Sequence, residues 1–159
     1  LQRLEDLTHT ICQKQNICEA AEAESLCMAN IAVKREKVEA QTYETIQQHL
    51  KTFPQSKLIR MAYVSVSQAY YMQTADYRKT PDTVIRHAKE WMELYPENIE
   101  FREGYFGLLV SSLRYAQSRE QKRLFREMKR IAETADDSEY EEATDMRETV
   151  ALLQRIYGY

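Results

Sequence analysis

The sequence predicts an all-α stack of antiparallel helical hairpins, and three observations carry that expectation. Gly and Pro, the residues that interrupt helices, number three each among 159 residues, and the β-branched residues do not gather into long runs. A helix stop followed at once by a helix start stands at Tyr95-Pro96-Glu97-Asn98-Ile99-Glu100-Phe101, and the same punctuation stands 42 residues earlier at Phe53-Pro54-Gln55-Ser56. Proline has no amide proton and clashes inside a helix, so Pro54 and Pro96 each close one helix and precede the next. Apolar residues recur at spacings of three and four on both sides of each break, the period of one helical face. Self-similarity at a period of roughly 20 to 50 residues marks an array of helical repeats.

Taken in order, the chain opens on the stripe Leu4, Leu7 and Ile11, a short amphipathic helix. With Leu at position 1, it is expected to be a piece of a longer protein. Long helices are predicted to begin near Asn16, Ser56, Glu97 and Ser138, the last after a break at Asp137-Ser138 where Asp and Ser are N-cap residues. Their stripes correspond through the 42-residue step: Ile17, Ile59, Phe101 and Ala143, then Ala20, Ala62, Gly104 and Met146, then Ala21, Tyr63 and Tyr105. Val66, Leu108 and Val150 share the slot one turn on, where Glu24 breaks the pattern, as Arg147 does in the slot before. Shorter helices are expected over 38–52, 82–94 and 119–134, with a variable connection at 75–81. Gly104 and Gly107 each cost about 1 kcal/mol relative to Ala inside a helix, which close helix crossing explains. The whole of 1–159 reads as one helical-repeat domain with stacked hairpins sharing a core.

The string Trp91-x-x-x-Tyr95-Pro96-x-Asn98, followed by Phe101, Gly104 and Tyr105, resembles the tetratricopeptide class of repeats. The likeness is clearest over 82–115 and departs from the family in period, 42 residues here against about 34. It implies a right-handed α/α superhelix with a groove for a protein or peptide. The run from Tyr95 to Tyr105 is also similar to divergent repeats behind the nucleotide-binding module of bacterial signal-transduction NTPases.

The formal net charge of −3 gives no global attraction to nucleic acid or anionic membrane. No apolar run approaches the roughly 20 residues of a membrane span, and the first residues do not read as a signal-peptide pattern. Cys12, Cys18 and Cys27 are odd in number and contain no Cys-x-x-Cys, so buried thiols in a reducing, cytoplasmic setting are expected. His9, His49 and His87 have no partner at metal spacing, and the pair His9 and Cys12 reads as structural rather than as an activated thiolate. Neither catalysis, a cofactor nor a metal is expected.

The expected function is presentation of a groove to a protein or peptide partner. By the repeat step, a second apolar strip runs through Val64, Tyr71, Phe106, Val110 and Leu113, rimmed by Arg60, Gln68 and Arg102, with the two arginines set to hold acidic groups. The competing account buries this strip between neighbouring hairpins, leaving a structural spacer. Glu148 and Arg155 occupy the same slots in the last long helix, as at the end of an array. Arg119, Lys122, Arg123, Arg126, Lys129 and Arg130 form a basic edge, either a contact for acidic groups or a solvated helix face neutralised by the acids from Glu133 to Glu142. Pairing of the first helix with another copy is a further alternative.

Overall fold

The computed structural model describes residues 2–73, 79–135 and 140–158, with side chains for all of these except 2–9, 12 and 140–143. Seven helices cover them: α1 (Gln2–Lys34), α2 (Ala40–Thr52), α3 (Lys57–Met72), α4 (Asp82–Leu94), α5 (Ile99–Leu113), α6 (Ser118–Thr134) and α7 (Tyr140–Tyr157), with no strand among the described residues. They form two compact units, Leu1–Gln73 with α1 to α3 and Thr74–Tyr159 with α4 to α7. Residues 75–78 of the variable connection and the Asp137-Ser138 break lie outside the described residues.

The two proline turns are one structure written twice. Phe53 and Tyr95 end α2 and α4 with φ/ψ of −126°/64° and −126°/65°. Each returns its amide to the helix, Phe53 N–H to His49 O at 2.8 Å and Tyr95 N–H to Trp91 O at 2.9 Å. The next helix is capped by a side chain in both cases: Ser56 Oγ accepts from Ile59 N–H, and Asn98 Oδ1 from Phe101 N–H. Arg60 Nε and Arg102 Nη2 then donate to the carbonyls of Pro54 and Pro96, at 2.9 and 3.1 Å.

At the start of the chain the repeat fails. The expected break before Asn16 does not exist, because α1 runs unbroken through it. Stepping back 42 residues from Pro54 reaches Cys12, a residue that leaves the helix amide in place, so nothing stops the helix. The buried stripe of α1 is Ala21, Ser25, Ala29 and Ala32, while Ile17 and Ala20 are exposed. These small residues let α1 lie close on α3, its main partner, and on α2. The helix ends in a Schellman turn, with Glu36 N–H to Val33 O at 3.0 Å, Lys37 N–H to Ala32 O at 3.2 Å and Glu36 at φ 52°.

In the first unit, Ile46, Ile59, Ala62, Val64 and Val66 make the apolar core. Beside them Tyr43 stacks on Tyr70 with ring centroids 4.6 Å apart and meets Tyr71 edge-on. Its hydroxyl donates to that of Tyr63 at 3.2 Å. In the second unit α5 is the central helix, buried on nearly every face and packed on α4 and α6, while α6 carries α7. Val84, Ala88 and Trp91 of α4 and Leu124, Phe125, Met128, Ile131 and Ala132 of α6 face inward. Gly104 and Gly107 are buried on α5. Before Pro81, Thr80 is buried and shares a hydrogen bond with Ser111 at 2.9 Å, fastening the start of α4 to α5.

Candidate functional site

The second unit holds a cleft of about 670 Å³ bounded by α4, α5 and α6. Leu109 and Leu124 form its buried floor, with Ile85 and Ala116 half-exposed beside them. Six cationic side chains line it, Lys79, Arg86, Lys89, Arg123, Arg126 and Arg130, against the three carboxylates Asp82, Glu120 and Glu127. The balance is positive inside a chain whose net charge is −3. The amphipathicity of α6 explains the placement: the face opposite Leu124, Phe125, Met128 and Ile131 is charged, and its edge forms the cleft wall.

At one side of the cleft Glu127 ties the three helices together. Arg130 donates to both of its oxygens, at 3.1 and 2.9 Å, Lys89 of α4 approaches at 3.5 Å, and the Tyr105 hydroxyl of α5 donates at 3.2 Å. The Arg130 hydrogen bonds, with help from the Lys89 charge, lower the Glu127 carboxyl to about 2. Burial and the Glu127 charge push the Tyr105 phenol well above its ordinary value. Elsewhere the cations are more loosely held: Arg123 pairs with Glu120 at 3.6 Å on the exposed helix surface, and Arg126 Nε donates to the Lys122 carbonyl. Lys79 and Arg126 have no carboxylate partner among the described residues.

All six cations of the predicted basic edge are exposed, and Arg123, Arg126 and Arg130 line the cleft. Arg119 borders an adjoining hollow with Arg123 and Arg126, whereas Lys122 and Lys129 lie outside the cleft wall. The predicted strip falls differently. Val64, Phe106 and Leu113 are only 1%, 6% and 1% exposed, so they pack helices together and offer no open surface. Gln68, Tyr71 and Val110 are half-buried, and the Tyr71 hydroxyl lies 3.4 Å from that of Tyr43. Arg60 and Arg102 are engaged by the proline turns, Arg60 also donating to Gln55 at 3.1 Å. Arg60, Val64, Gln68 and Tyr71 belong to the first unit and Arg102, Phe106, Val110 and Leu113 to the second.

Sequence reasoning missed the cleft-facing side of α5, Tyr105, Leu109 and Ser112, which lies one residue, about 100° of helix, from the predicted strip, and Ala116 just beyond that helix. It also missed Glu127. The available signal was its place as a carboxylate amid Arg123, Arg126 and Arg130, three residues before an arginine.

One further polar constellation has nucleophile–base–acid connectivity. Ser25 Oγ and His49 Nδ1 share a hydrogen bond at 2.9 Å, and His49 Nε2 lies 3.5 Å from Glu24. Ser25 is 0% exposed, so its hydroxyl is closed to a substrate and the link serves to join α1 to α2. The cysteines correct an expectation, Cys18 being half-buried and Cys27 exposed, both as free thiols. Burial, and then the Glu22 carboxylate, push the Cys18 thiol up. Cys12 and His9 lie outside the described side chains. Among the described residues no group of three His, Cys, Asp or Glu is placed to hold a metal, and no helix is long and apolar enough to cross a membrane.

Comparison of the chain with protein-family models, with curated proteins and with solved structures finds no match.

Proposed function

We propose that this chain is a non-catalytic protein-interaction module whose second unit receives a peptide segment of a partner protein in the cleft between α4 and α6. The observation that carries the reading is the cleft itself, where half-exposed Ile85 and Ala116 reward desolvation and a charged rim gives direction and specificity. On this reading the hairpins are tetratricopeptide-like elements of a right-handed superhelix, and the matching turns at Phe53–Ser56 and Tyr95–Asn98 support it. The free thiols of Cys18 and Cys27 fit a cytoplasmic setting.

The test is a photo-activated cross-linking side chain placed at Ala116, within the cleft, and at Thr83, exposed on α4 outside it. A defined protein adduct is expected from Ala116 and not from Thr83 in the cell that makes the protein. No adduct from Ala116 overturns the reading. A second reading, self-association through α1, is favoured by the exposure of Ile17 and Ile31 on that helix. Mass that rises with concentration in sedimentation equilibrium, and falls back when both are replaced by Ser, is its expected signature.

A further inference from the structure

We infer that the segment taken up by the α4–α5–α6 cleft is acidic and amphipathic, docking carboxylates on Arg123, Arg126 and Lys79 while an apolar side chain meets Ile85. This deepens the proposed function and rests on it. The charge balance of the lining is the first argument, since cations outnumber carboxylates there two to one.

Availability is the second. Arg130 and Lys89 are committed to Glu127, with Arg130 in a two-point hydrogen-bonded pair. Arg123 has only an exposed pair with Glu120 at 3.6 Å, of a kind worth about 0 to 1 kcal/mol. Arg126 and Lys79 have no carboxylate partner among the described residues. An incoming carboxylate therefore gains arginine donors without breaking a strong pair.

The third argument separates a peptide from a nucleic acid. A phosphate backbone presents charge at every step and must pass the carboxylates interspersed among the cations, whereas a peptide places its acids singly. The aromatic ring at the site, Tyr105, is buried and its hydroxyl is held by Glu127, so it offers no stacking platform. The half-exposed Ile85 and Ala116 suit an aliphatic side chain better than a sugar or a base.

The experiment is display selection of random peptides of about 15 residues against the full chain, the length of a short docking helix or strand. Isolated binders are then titrated against wild type, Arg123→Glu/Arg126→Glu and Lys129→Glu, each checked by circular dichroism. Both reversed arginines are exposed and leave the core intact, and Lys129 lies on α6 outside the cleft. Expected are binders rich in Asp and Glu around a few apolar residues. Their affinity should fall at least about tenfold in the double variant, stay within about twofold in Lys129→Glu, and weaken as salt rises.

Neutral or basic binders, binders indifferent to the double reversal, or no binders at all overturn the inference. So does an oligothymidylate that binds the wild-type chain more tightly than any selected peptide and is lost with the same arginines. These failures are distinct from failure of the interaction module: an Ala116 adduct to a segment without acidic residues would retain the module and reject its acidic ligand.

Discussion

Glu36 shows how a single residue can be at odds with its place. It occupies the left-handed position that closes α1, at φ 52°, where a Cβ meets the following carbonyl and Gly is the residue that avoids the clash. Glu36→Gly is therefore expected to stabilise the chain by roughly 0.5 to 1 kcal/mol, read as a higher midpoint in urea denaturation. Phe106 carries the opposite lesson. Its burial makes Phe106→Ala a core truncation expected to cost about 3 to 5 kcal/mol, whereas the same change at a solvent-facing groove position would leave the denaturation midpoint almost unmoved. Arg60 and Arg102 were legible as a repeated pair but not as turn fasteners. Whether a guanidinium reaches a ligand or a carbonyl six residues behind it depends on how the chain folds back, which spacing alone does not encode.

At the scale of elements, helices bounded by strong chemistry were readable nearly to the residue. The expected 82–94 is the observed α4, and the expected 119–134 is α6 less one residue. Proline, cap residues and apolar period all act locally, so a single strand of sequence contains them. The caps give a paired prediction: Ser56→Ala and Asn98→Ala should each cost about 1 kcal/mol by removing the acceptor for the Ile59 and Phe101 amides, measured by thermal unfolding. Ser56 also donates to Glu22 of α1 at 2.6 Å, a link between α1 and α3 that the alanine removes along with the cap. Glu127 binds three helices, and its carboxyl is held at about 2, below the ordinary 4.5. A depressed carboxyl contributes stability that is fully present above the unfolded value and is lost as pH falls through the folded one. Glu127→Gln should thus lower stability by roughly 1 to 2 kcal/mol at neutral pH. It should also remove that part of the acid destabilisation of wild type falling between pH 4.5 and about 2, as followed by denaturant titration across pH.

For the molecule as a whole, the pattern that carried most information was the 42-residue step, which is sharpest where the punctuation is chemical and also puts Met146 and Val150 of α7 in buried slots. From Phe53 to Leu113 the turns, caps and helix starts superpose in sequence and in conformation. At α1 the step carried no breaker, and two expected helices are one. The burial register there moved to Ala21, Ser25, Ala29 and Ala32, because α1 is placed by contact with α3 and α2 and not by its place in a repeat. The cleft was half legible: its α6 wall appeared as a basic edge, while its α5 floor was misassigned by one residue. One residue of register is a rotation of about 100°, too small for a periodic pattern to resolve on a helix that is apolar almost all round. By itself the sequence determined the all-helical class, the proline turns, the capped starts and the charged face of α6, since each follows from backbone chemistry within a few residues. Only the tertiary structure decided which side of α5 lines the cleft, which arginines remain available and that Glu127 ties the cleft's helices together, since these depend on groups from three helices meeting in space.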